Sequence, residues 1–266
     1  MRLLLLLTLL LSFTAHAGEP SCPRIVSQSP YLTKSLQWLG LEPCIVGVSR
    51  YDHLVLPHTG GVMDPDADAL EALAPDLIFT SNWTEPEILK AVTPEGARSF
   101  RLDGFGNMAQ VEENLLLMGR EAGITDIELR VNNFHTDWTG RAKAIGGNGK
   151  RVLLLSACSG SPYTFGQKRW ISDLFHHAGF INVETEEKIR HIKHGETVTS
   201  LNALINELEP ELIFLFERKQ SQQCAFIVPK TPLTIINLDG DNFLHPAPVL
   251  IDGLKELTQL RHKWSY

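Results

Sequence analysis

Tyr51-Asp52-His53, Asn82-Trp83, Pro162-Tyr163-Thr164-Phe165 and the run from Asp239 to His245 gather aromatic, carboxylate, amide and imidazole groups within a few residues of one another. Two kinds of chemistry could follow. Carboxylates at Asp239 and Asp241 with an imidazole at His245 have the donor types to hold a cation and activate a water, as a secreted metal-dependent hydrolase would. Aromatic faces at Tyr51, Trp83, Tyr163 and Phe165 could instead stack on a flat ligand, each pair contributing about 0.5–1.5 kcal/mol beyond area burial. Core packing is the plainer alternative for each, although a Trp between Asn82 and Thr84, just past an apolar run, is an awkward core residue. His191-x-x-His194 has the look of a ligand pair. The adjacent His176 and His177 point about 100° apart on a helix and cannot easily share one ion. No G-x-S-x-G, G-x-x-x-x-G-K, H-E-x-x-H or C-x-x-C occurs to favour an enzyme.

These groups all follow apolar runs. Residues 24–28, 45–49 and 76–81 are short, β-branched or apolar and bounded by Pro, Gly and Ser, so they predict buried strands. Helical patterns lie between them, Tyr31 to Leu39 closing at Gly40 and Asp66 to Ala74 closing at Pro75. Strand, helix, strand, helix, strand predicts a parallel sheet covered by helices. Asn107 can cap a helix that runs to Gly123, and a second helical pattern, residues 126–145, keeps Ile127, Val131, Phe134, Trp138, Ala142 and Ile145 on one face. That second helix would be a rod of roughly 30 Å. The grammar then restarts: a strand at 151–156, a helix from Trp170 to Ala178, a strand at 233–238 and a last helix from Pro248. The junction LEALAPDLIF at 70–79 returns as INELEPELIF at 205–214. The expected fold is therefore α/β, two Rossmann-like lobes with parallel sheets joined by a long helical strut. The expected divisions are 1–17, 18–107, 108–148 and 149–266. Ligands of open α/β sheets sit beyond the carboxyl ends of the strands, which places the four chemical stretches in a cleft between lobes.

Composition narrows the classes. With 266 residues and 43% hydrophobic content the chain can bury a core, and a net charge of −7 without a Lys/Arg run excludes nucleic acid as an expected partner. Arg2, the apolar run Leu3 to Leu11 broken by Thr8, and Ala15-His16-Ala17 predict a signal peptide cleaved near Ala17. The run is short of the ~20 residues that span a bilayer. The mature protein is expected in an oxidising compartment, most simply a periplasm. Four cysteines then suggest disulfides. Cys22 and Cys44 stand just ahead of apolar runs and Cys158 and Cys224 follow others, so neighbouring parallel strands would pair Cys22 with Cys44 and Cys158 with Cys224; free thiols in one pair are the alternative.

RIVSQSP, VGVSRYD, LEALAPDLIF, the strut, SPYTFG, INELEPELIF and HPAPVLIDGLKEL, in this order, resemble the class III periplasmic substrate-binding proteins of ABC importers, the group for cobalamin, haem and ferric siderophores. The resemblance covers nearly the whole mature chain and is strongest to the cobalamin-binding branch. It implies a non-catalytic monomer without a cofactor of its own, partnered by an inner-membrane ABC importer permease and a metal-chelate ligand. The ligand residues it implies are Tyr51, Asp52, Trp83, Tyr163, Phe165, His194, Asp241, Asn242 and His245, with His194 or His245 able to reach a chelate's metal or its side chains. It also implies an acidic docking residue on each lobe. Asp68 holds the first position; the second falls near Ser200 or Asn202, neither acidic, with Asn202 taken and Glu196, Glu207 and Glu209 nearby.

Overall fold

The computed structural model of the protein describes residues 22–156, 162–193, 200–217 and 231–264. The proposed cleavage at Ala17, and Cys158, His194, Glu196 and Cys224, lie outside the described residues.

The first half folds as β1 Ile25–Ser27, α1 Pro30–Trp38, β2 Ile45–Val48, α2 Ala67–Leu73, β3 Leu77–Ser81, α3 Pro86–Val92 and β4 Arg98–Leu102. Its strands are all parallel, in the order β2-β1-β3-β4. Strands β1 and β3 are buried along their whole length, hence their apolar or β-branched runs. The strand β4 was not expected. Its residues Arg98 and Arg101 are exposed because it lies at the sheet edge, where a strand need not read as apolar.

Two helices, α4 Met108–Glu121 and α5 Ile127–Ile145, connect the halves. Asn107 caps α4 by accepting from the Gln110 amide at 2.9 Å. The buried residues of α5 are the six of the sequence pattern, and it stops at Gly146, whose φ of +66° is in the left-handed region. Residues of both sheets and both helices belong to one continuous hydrophobic cluster, so the halves are packed together and not merely tethered.

The second half holds β5 Arg151–Ser156, β6 Tyr163–Thr164, α6 Trp170–His177, β7 Ile181–Asn182, β8 Arg190–His191, α7 Leu201–Leu208, β9 Leu212–Glu217, β10 Thr234–Asp239, α8 Gly240–Phe243 and α9 Leu250–Leu260. Strands β10, β9 and β5 are parallel, and β7 extends β5 in parallel. Beyond β5 the sheet departs from the expected all-parallel form: β6 and β8 run antiparallel, the pair being too short to need helical crossovers.

The repeated junction is the same structure twice. Ala74 and Glu209 each close their helix in the left-handed region, at φ of 42° and 47°. Each helix end is met by the arginine that opens the lobe's first strand: Arg24 Nη2 donates to Leu73 O and Arg151 Nη2 to Leu208 O, at 2.7 and 2.8 Å. The acid after each proline answers by accepting from that arginine's backbone amide, Asp76 at 2.7 Å and Glu211 at 2.9 Å. A cation against the last carbonyls of a helix and its dipole is stabilising, which explains why the device recurs.

The disulfide Cys22–Cys44, with Cα atoms 5.8 Å apart, ties the starts of the neighbouring parallel strands β1 and β2. The strands that precede Cys158 and Cys224, β5 and β9, are also parallel neighbours.

Candidate functional site

The carboxyl ends of the strands open onto a cavity of about 640 Å³ between the halves, within the ~300–1,000 Å³ range of small-molecule sites. The first half contributes Ser29, Tyr31 and Lys34 from the start of α1, Tyr51 and His53 from the loop after β2, Trp83 after β3, and Phe105 after β4. From the second half come Asp241, Leu244, His245 and Pro246, in α8 and the loop after it.

An aromatic wall dominates one side. The Trp83 indole lies nearly parallel to Phe105, 13° between planes and 5.1 Å between centroids. Phe105 in turn meets Tyr31 and Trp170 edge-on, at 5.0 and 5.6 Å. Its carbonyl accepts from the Trp170 amide, so the wall is anchored in both halves. Behind it Tyr31 donates to Leu102 O at 3.2 Å; burial pushes its phenol pKa well above the usual value, with the Asp103 charge adding and a Ser81 contact opposing, so the group stays neutral. Trp83 and Tyr51 remain 58% and 68% exposed, large apolar faces turned to an open cleft.

Tyr51, Trp83, Asp241 and His245 of the expected residues therefore line one cavity, while others are placed elsewhere. Phe165 is a correction: it is buried among Tyr163, Trp170 and Phe216, filling the core beside β5. Asp52 is another. Its carboxylate is wholly buried, accepting from Thr33 Oγ1 at 2.6 Å and the Leu54 amide at 3.2 Å, and so it fixes the loop and does not face the cleft. Asn242 turns its amide to Glu256 at 3.1 Å, and Tyr163 packs between Phe165 and His191; neither is among the described lining residues. Sequence reasoning missed Ser29, Pro30, Tyr31, Lys34, Phe105, Leu244 and Pro246. Phe105 follows an unrecognised strand; once β4 is known, the rule of strand ends finds it.

The carboxylate of Asp239 caps α8 by accepting from the Asp241 amide at 3.1 Å. Among the described residues no three His, Cys, Asp or Glu side chains converge as a metal site requires. The hydrolase alternative is not supported. His177 instead packs edge-on against Trp138 at 4.9 Å, and His191 lies tilted against Tyr163 at 5.9 Å.

Asp68 and Asn202 are both exposed and occupy the second position of their helices, α2 and α7. The two halves thus present equivalent helix starts, one acidic and one neutral.

Residues 25–233 match the family described as periplasmic binding protein. Among solved structures, the chain resembles the periplasmic heme-binding protein RhuT from Roseiflexus sp. RS-1 in apo form, with TM-score 0.75 and 17% identity over 92% of this chain and 100% of that one. It resembles the periplasmic vitamin B12 binding protein BtuF of Vibrio cholerae at TM-score 0.70 and 18% identity, covering 91% and 98%. A periplasmic heme binding protein from Pseudomonas aeruginosa gives TM-score 0.72 and 22% identity, covering 91% and 94%. No curated protein sequence matches the chain significantly. At these identities the likeness is one of fold, and the proteins so named are binding proteins. With two α/β halves packed through α4 and α5, a cleft at their strand ends and a match over most of its length, the chain belongs to the periplasmic binding protein family.

Proposed function

We propose that the protein is the periplasmic solute-binding component of an ABC importer, that it captures a large metal chelate in the cleft, and that it delivers the chelate to the permease. Cobalamin is preferred, then haem or a ferric siderophore. The carrying observation is the parallel Trp83–Phe105 face with Tyr51 beside it, a surface suited to a broad planar ring. Charge favours the corrinoid. The described lining pairs one cation, Lys34, with one anion, Asp241, whereas Arg50 and Lys168 are engaged by Asp64 and Glu187 at 2.8 and 2.7 Å. A ligand bearing several concentrated negative charges would find few partners there. The leader ending near Ala17 belongs to the same reading, as does a monomeric mature protein.

Calorimetric titration of the mature protein with cyanocobalamin, haem and a ferric hydroxamate tests the proposal. Cobalamin is expected to bind at least about tenfold more tightly than the others. Binding of none of the three would sink it.

Asp68 and the equivalent Asn202 are the proposed docking points for the permease. Asp68→Lys is expected to weaken capture by the importer in proteoliposomes about tenfold while ligand affinity is unchanged, since a rim charge acts on encounter with its partner. Equal loss of both properties would remove Asp68 from the interface.

A further inference from the structure

The last paired residues of β3 and β4 are Ser81 and Leu102, and the backbone adds one further bond, from the Asn82 amide to Leu102 O at 3.0 Å. Side chains continue where this ladder stops. Asn82 Nδ2 donates to the Asp103 carboxylate, while the Asn82 carbonyl accepts from Arg101 Nη2 at 2.8 Å. Trp83 follows Asn82 by one residue and Phe105 follows Asp103 by two. The Asn82–Asp103 contact therefore clasps the two loops just ahead of the rings that stack with 13° between their planes.

The Asp103 loop is also held from α4. Asn114, buried beside Val111, Leu115 and Met118, donates from Nδ2 to Asp103 O. Gly104 makes room for that amide: a Cβ there would come 2.8 Å from Asn114 Nδ2 and 3.3 Å from the Tyr31 ring. A buried amide on an otherwise apolar helix face is costly unless it is hydrogen-bonded, so this bond fixes where the loop sits against the helix. Asp103 and Asn82 are both exposed, and neither is among the described lining residues of the cavity.

We propose that Asp103 and Asn82 are positioning residues for the ligand-binding wall: their contact fixes the Trp83 loop against Phe105 before a ligand arrives, so that binding does not have to order the indole. This rests on the reading of the cleft as the ligand site and adds how its flat face is preorganised.

Near-UV circular dichroism of the ligand-free protein and calorimetry with cyanocobalamin test this, with haem used in its place if cyanocobalamin does not bind. The Trp83 band is the difference between the wild type and Trp83→Ala. Asp103→Ala should lose much of that band and weaken binding about fivefold, the cost of ordering one side chain on association. Its main-chain bond to Asn114 is untouched by the substitution, so the melting temperature should hold. Asp103→Asn keeps an oxygen acceptor for Asn82 and should recover both the band and the affinity to within about twofold of the wild type. Asp103→Ala placed in a Trp83→Ala background should change the affinity by less than about twofold, since its effect passes through the indole. An unaltered band in Asp103→Ala, a full loss in Asp103→Asn, or a loss that persists without Trp83 overturns the assignment. Failure of cyanocobalamin, haem and the ferric hydroxamate alike to bind overturns the chelate reading alone, because the ligand-free spectra still decide whether the contact orients Trp83.

Discussion

Replacement of Trp83 by Ala is expected to raise the dissociation constant for the proposed chelate ligand roughly a hundredfold, a loss of about 3 kcal/mol. The side chain is 58% exposed in the open cleft and presents one face while the other rests on Phe105. Covering the exposed part of a side chain that buries ~150–250 Å² releases most of this energy at about 25 cal/mol per Å², with stacking adding the remainder. Stability should change by less than about 1 kcal/mol, because an exposed side chain contributes little to the core. Trp83→Phe, which keeps a smaller ring, should fall between. Calorimetry is the measurement, since the substitution also removes a fluorophore. Unchanged affinity in a variant that melts normally would remove Trp83 from the ligand face. Phe105→Ala differs in kind: it should weaken binding and stability together, because Phe105 also packs on Tyr31 and Trp170.

The largest effect on stability is expected at Glu184, which is not among the residues lining the cleft. Its buried carboxylate accepts from the Thr185 and Glu186 amides at 2.8 and 3.0 Å, from Arg190 Nη2 at 2.6 Å and from Thr164 Oγ1 at 2.5 Å. Arg190 is itself only 10% exposed. One acid therefore ties the loop before β8 to both antiparallel strands, β6 and β8. Glu184→Ala leaves the buried guanidinium with only the exposed Glu186 carboxylate, 3.7 Å from Nη2, as a counter-charge, which costs about 3–5 kcal/mol. The melting temperature should drop by roughly 10 °C. Removing both partners, Glu184→Ala with Arg190→Met, should recover a substantial part of the loss, since the stranded charge goes with it. A single variant as stable as the wild type in urea titration would show that solvent reaches this pair.

The backbone plan was legible because it is local. The six residues spaced along α5, the two proline junctions, the capping Asn107 and the apolar runs of β1, β3, β5 and β9 each report their own neighbourhood, and periodicity reads neighbourhoods. The elements that were missed, α3 among them, are one-sided in burial or very short. The edge strand β4 carries exposed arginines, and β6, β7 and β8 are too brief for any period to register.

By itself the sequence determined the α/β class, the paired construction and the helices between the halves, because each follows from local patterns; it offered Cys22–Cys44 with free thiols as the alternative, and the structure shows the bond. Only the tertiary structure decided what faces the cleft. It stacked Phe105 against Trp83, set Phe165 into the core and buried Asp52 behind His53. It also matched Arg24 with Arg151 as caps of the two repeated helices. These are contacts between elements distant in sequence, and an aromatic or a carboxylate after a strand has the same letter whether it turns inward to satisfy a neighbour or outward to meet a ligand.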